Sequence, residues 1–197
     1  MVKEFNDEEK LRIENILQTA GERVSDSLSM MINQPVKTEI INFHKNIDGL
    51  ESGQDKNNVV LIYTELKNGE EGYAFFSLDH KSALKLANIM LMRDENEEVQ
   101  ELDEDELDAL KEAGNIVIGN FLSVVADFFK MEILFDPPEV IENCGNGDYG
   151  GFLSNPEDAD SSLIADLILS AKGVGINGRY ILIPSKKLTE DFHSFFE

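Results

Sequence analysis

The sequence is short of positive charge, of sulfur ligands and of long apolar runs. Its 197 residues carry 17 Lys and Arg against 39 Asp and Glu, a formal net charge of −22. A field of that sign repels nucleic acid and anionic lipid, so neither is an expected partner. The one cysteine, Cys144, excludes an internal disulfide and leaves no zinc constellation. It sits in a Gly-rich stretch with no histidine beside it, so a buried or incidental thiol is expected rather than a nucleophile. His44, His80 and His193 are too scattered to form a metal pair. No apolar run approaches the ~18 to 20 residues of a membrane span. The acidic opening residues do not read as a signal peptide. The expectation is a soluble, cytoplasmic protein. Hydrophobic residues make up 42% of the chain, an ordinary globular share, and at this length one core needs no staples.

Apolar residues recur at helical spacing over 7–33, from Leu11 and Ile13 through Ala20 and Val24 to Leu28 and Ile32, until Pro35 stops the pattern. Strand-like stretches follow at 36–43, 59–66 and 72–78. Asn68-Gly69 stands between the last two, where a tight primed turn needs positive φ. A helix is expected over 80–92. Residues 94–108 then hold ten carboxylates and no base. That run reads as a solvated linker plus the acidic first turn of the next helix, which suits the helix dipole; a docking patch for a basic surface is the lesser reading. A long helix is expected over 104–130, a strand over 132–136 and a turn at Pro137-Pro138. A loop over 143–160 precedes a second hairpin, 163–171 and 179–184, joined by a turn over 173–178. A short helix, 186–196, ends the chain.

The order of elements repeats. Residues 73–91 resemble 179–196, and 20–40 resemble 113–133, with Ala-Gly near the start and Glu-Ile at the end of each. The expected fold is therefore α+β: a single domain over 1–197 built from two helix–strand–hairpin–helix units, 7–93 and 103–197. An acidic linker, 94–102, joins them, and the long helices pack on an antiparallel sheet.

One helix departs from generic amphipathicity. Asp108, Glu112 and Asn115 are spaced by four and then three. At about 100° per residue they fall within ~60° of one another. Leu110, Ala113, Val117, Phe121, Val124 and Phe128 lie on the opposite side. Acids and amides on an exposed helix face are ordinary. Asn, however, is a mediocre helix former, and Gly114 and Gly119 flank it, each costing about 1 kcal/mol relative to Ala. The glycines leave two readings open: close approach by a partner, or tight packing within the protein.

Asp108-x-x-x-Glu112-x-x-Asn115, followed by 21 residues and Pro137-Pro138, resembles the signature of the CheC/CheX/FliY phosphatases of bacterial chemotaxis, CheC most of all. The run Glu112-Ala113-Gly114-Asn115-Ile116, with Gly119 and Ala126-Asp127-Phe128 beyond it, strengthens the likeness. The resemblance implies hydrolysis of the aspartyl phosphate on a CheY-type receiver domain. It implies that Asn115 orients a water in line with phosphorus. Glu112 would pair with the receiver's lysine, Asp108 would support docking, and the proline pair would shape the neighbouring loop. Mg²⁺ would come with the receiver, and the protein would need no cofactor of its own. An amide that both donates and accepts suits such work, because phosphoryl transfer needs placement more than covalent participation.

CheC proteins often carry the motif twice, and this chain does not. Matched through its end, the first helix sets Leu11, Asn15 and Gln18 against Asp108, Glu112 and Asn115; matched through Ala20-Gly21, it sets Thr19 and Glu22 against the last two. Neither register restores the Glu-x-x-Asn pair. One active site is expected, with the first half a structural relic or a different contact surface. The alternative is a non-catalytic CheC-like binding module for a receiver domain, for CheD or for the flagellar switch.

Overall fold

The computed structural model describes residues 7–45, 58–67, 72–93, 102–144, 152, 163–171, 173–184 and 188. The elements are α1 (Asp7–Ile32), β1 (Val36–Lys45), β2 (Val59–Glu65), β3 (Tyr73–Asp79), α2 (His80–Met90), α3 (Glu104–Phe129), β4 (Glu139–Cys144), β5 (Leu163–Ala171) and β6 (Val174–Ile183). The six strands form one antiparallel sheet in the order β1-β5-β6-β3-β2-β4. Exchanging β1 with β4, β2 with β5 and β3 with β6 gives the same order read from the other edge. Two copies of one unit would generate that arrangement. The linker 94–101 and nearly all of 186–196 lie outside the described residues.

Among the described residues α1, α2 and α3 pack on one face of the sheet. Leu17, Val24, Leu86, Leu110 and Phe121 from the helices share a core with Val60, Ile62, Phe76, Leu167 and Tyr180 from the strands. The Phe121 and Tyr180 rings stack with centroids 4.3 Å apart. Burial raises the Tyr180 phenol above its usual range. The alternate residues Val59, Leu61, Phe75, Ile181 and Ile183 form a second buried cluster on the other face, with Cys144 among them and Tyr63, Tyr73 and Phe152 at its rim. Strands that bury both faces read as continuous apolar runs, which is why β2 stands out so plainly in the sequence. α3 is long and apolar enough to cross a membrane by length and composition. Its apolar side is instead committed to the core.

Three expectations are corrected. Residues 132–136 form no strand; only Phe135 bridges to Leu66. The strand begins after the proline pair, at Glu139, because Pro137 and Pro138 have no N–H to give a ladder. Cys144 closes that strand and is buried, rather than lying in a loop. The turn placed over 173–178 is mostly strand. Ala171 pairs with Val174, so the turn is two residues long and uses Gly173 at φ 81°. Gly178 lies inside β6 because a Cβ there would overlap the Phe76 ring. The β2–β3 pairing is as expected, while Asn68-Gly69 lies outside the described residues.

Candidate active site on the long helix

α3 is held at both ends. Asp103 caps it: its carboxylate accepts the Glu106 N–H at 2.8 Å, and the Glu106 carboxylate accepts the Asp103 N–H at 2.9 Å. This reciprocal arrangement satisfies two otherwise orphaned donors. Arg93, just beyond α2, reaches Asp103, Asp105 and the fully buried Glu106 at 3.1 to 3.2 Å. The hydrogen bond from the Glu106 N–H, then the Arg93 guanidinium, hold the Asp103 carboxyl below the usual range. At the far end Lys130 takes a left-handed conformation (φ 56°) and closes the helix.

The buried side of α3 explains its glycines. A Cβ at position 114 would overlap Ile62 Cγ2 of β2, and one at 119 would stand 3.3 Å from the Phe135 ring. Of the two readings left open, tight packing within the protein is the one the structure bears out. Gly114 lets the helix backbone settle directly on the sheet, one residue before Asn115. Asn120 belongs to the packing as well. Its Nδ2 donates to Ile116 O at 2.8 Å and to Ser27 Oγ of α1 at 3.1 Å.

The outward side is different. Asp108, Glu112 and Asn115 are all exposed on the one continuous helix. Asp108 accepts a hydrogen bond from Lys111 Nζ at 2.8 Å, an i,i+3 pair. Glu112 and Asn115 have no hydrogen-bond or ion-pair partner among the described residues. The structure thus brings together the three residues that the spacing singled out. The carboxylate and the carboxamide stand a turn apart with nothing of the described protein over them. Pro137 is exposed and Pro138 buried. Their loop is pinned to β2, with the Lys67 N–H donating to Leu134 O at 2.7 Å, the Asp136 N–H donating to Glu65 O at 3.1 Å, and an ion pair between Lys67 and Asp136.

Sequence reasoning passed over Lys111, although its i,i+3 spacing from Asp108 was visible. It also passed over the Asp103-x-x-Glu106 capping box, hidden inside the acidic run. Among the described residues no three His, Cys, Asp or Glu side chains gather into a site that could hold a metal.

The family described as chemotaxis phosphatase CheX matches residues 60–146, a stretch that includes all of α3 and the proline pair. The fold matches FliY of Thermotoga maritima at 23% identity and TM-score 0.77, covering 100% of this chain and 98% of that one. The chain carries the CheC/CheX/FliY fold. CheX from Desulfovibrio desulfuricans matches at 15% identity and TM-score 0.52, over 85% of this chain and 99% of that one. FliM in a FliG–FliM complex from H. pylori matches at 13% identity and TM-score 0.66, over 94% and 98%. No curated protein matches the sequence. The resemblance drawn from the α3 motif therefore agrees with both the family match and the fold, and FliY shares that likeness alongside CheC.

Proposed function

We propose that the chain is a CheC-like phosphatase that hydrolyses the aspartyl phosphate of a CheY-type receiver domain, with one active site on α3. The observation that carries this reading is the unobstructed pair Glu112 and Asn115, exposed together on a helix whose opposite side is seated on the sheet at Gly114. The same stretch is the one matched by the chemotaxis phosphatase family.

In this reading α3 docks against the receiver as a rigid rod. Asn115 enters the phosphorylated pocket and holds a water in line with phosphorus, donating through Nδ2 or accepting through Oδ1. The water oxygen bonds to phosphorus as the bond from phosphorus to the aspartyl oxygen breaks, and the water proton leaves with inorganic phosphate or to solvent. The receiver brings its own Mg²⁺ as part of the substrate. Placement of the attacking oxygen supplies the rate, which an amide can do without acting as a strong base. Glu112 pairs with a receiver lysine and sets the register, while Asp108, already bonded to Lys111, borders the contact.

A second reading has its own support. The likeness to a FliM that forms a complex with FliG fits a non-catalytic module that binds a receiver domain, a CheD-type partner or the flagellar switch. Phosphate release from an acyl-phosphorylated receiver separates the two. The phosphatase reading expects acceleration by the wild-type chain and its loss in Asn115→Ala. If the wild type leaves the decay of the phosphorylated receiver unchanged, the binding module stands instead. Because both this chain and an acidic receiver pocket are negative, moderate salt should sustain or raise the rate. A steep fall with salt would contradict docking by local pairing.

A further inference from the structure

The α1 surface that corresponds to the α3 site borders an open groove of about 530 Å³ between α1 and β1. Among the described residues β1 is an edge strand, paired only with β5. Its first half is covered by α1. Ser29 Oγ accepts the Val36 N–H at 2.8 Å, and Ser25 Oγ accepts the Thr38 N–H at 2.8 Å. The ladder steps four residues along the helix for each two along the strand. Its next rung would set residue 21 against Ile40, and residue 21 is a glycine with no side chain to offer. Alternate N–H groups of an antiparallel strand point away from its partner, so Ile40 is the next to face the groove. Thr38 Oγ1, buried in the groove wall, has no hydrogen-bond partner.

The groove chemistry is specific in sign. Glu14 and Glu22 from α1 and Glu39 from β1 are exposed along it, with no ion-pair partner among the described residues. Ile40 and Ile41 supply apolar surface, and Ile41 is 61% exposed. We propose that this groove docks an extended, basic segment of another protein, which adds along the open part of the β1 edge and alternates cationic with apolar side chains. Main-chain bonds to the edge supply affinity in this mode, and the side chains supply selection. The glutamates call for cations, and the isoleucines call for the residues between them. A second copy of this chain fits poorly, because two acidic faces would be brought together. The bulge between Ile40 and Asn42 limits the ladder, so the contact is short and reversible.

The probe is an end-blocked synthetic peptide of alternating Lys and Val, about nine residues long to match an ordinary strand, titrated against the full chain by fluorescence anisotropy at physiological salt. Saturable binding is expected. It should weaken about tenfold or more in Glu22→Lys/Glu39→Lys, since each reversal replaces an attraction with a repulsion. Glu65→Lys/Glu104→Lys, at the end of β2 and the start of α3, changes net charge equally away from the groove and should leave binding within about twofold. Methylating alternate peptide nitrogens should abolish binding, because the strand bonds go with them. The proposal is overturned by absence of saturation at about 1 mM peptide, by equal losses in the two double variants, or by retained binding of the methylated peptide. It is also overturned if sedimentation shows a wild-type dimer that Glu22→Lys/Glu39→Lys dissociates, which would assign the groove to a second copy. Circular dichroism checks that both variants fold.

Discussion

α1 and α3 are each 26 residues long, each is followed by a left-handed non-glycine residue (Asn33 and Lys130), and both lie on the same face of the sheet. Arg23 meets Asp127 and Ser123 while Ser27 meets Asn120, so the two helices run antiparallel. Their matching ends set Leu11, Asn15 and Gln18 of α1 opposite Asp108, Glu112 and Asn115 of α3. All six are exposed. A shared scaffold therefore presents two different surfaces: α3 offers a carboxylate and a carboxamide standing clear, and α1 offers amides and glutamates beside an acidic groove. Packing, length and end geometry are common to both helices, while the chemistry resides in a few outward positions that the core does not constrain.

The largest effect should come from breaking that difference at the amide. Asn115→Ala should slow receiver dephosphorylation by roughly 10²-fold, the scale of a misplaced reactant. Gln18→Ala, at the matching position of α1, should leave the rate unchanged. Phosphate release under single-turnover conditions measures both. Equal losses would mean that two sites operate and that the asymmetry of the helices is not functional.

A second contrast concerns the glycines on the buried sides. Gly114→Ala should destabilise the fold by about 1–3 kcal/mol, because its Cβ overlaps Ile62 and the helix must lift from the sheet. Gly21→Ala meets Ile40 and Thr38 at 3.6 Å, an ordinary contact, and should stabilise by about 0.5–1 kcal/mol through helix propensity. Opposite signs in urea unfolding would establish that α3 is seated more tightly than α1. Glu112→Lys should act on neither core. It should raise the receiver concentration needed for half-maximal rate by roughly tenfold and change the saturated rate much less, since a reversed charge opposes association.

The helices were legible because their periodicity extends over seven turns: both expected spans agree with the structure to within a residue. The outward grouping of Asp108, Glu112 and Asn115 followed from the same period. β4 was missed for the opposite reason. It is a six-residue edge strand whose adjacent Val140 and Ile141 are flanked by polar residues, with no alternation to mark it, directly after two prolines, and so it resembles a loop. Gly178 read as a turn because local sequence cannot reveal Phe76 crossing from the neighbouring strand. The Asp103–Glu106 box was lost in a run of ten carboxylates, where nothing local shows that Asp103, Asp105 and Glu106 meet Arg93. The groove beside α1 is made by residues up to 28 positions apart, from Glu14 to Asn42, and no linear pattern announces it.

The smallest effect should come from the cap that sets where α3 begins. Asp103 has its carboxyl held below the usual value because it accepts the Glu106 N–H and, secondarily, faces Arg93. A depressed native pKa means that the ionised form stabilises the fold above the unfolded value, about 4. That contribution fades as pH falls through the lower native value. Asp103→Asn retains a capping oxygen but loses the charge. The variant should therefore be slightly less stable than the wild type at pH 7, with the gap narrowing below about pH 4 and closing once both native and unfolded carboxyls are protonated. Urea midpoints measured across that range test it. A gap independent of pH would mean that the hydrogen bonds alone hold this end, and that the guanidinium beside it contributes nothing to the rigidity on which Glu112 and Asn115 depend.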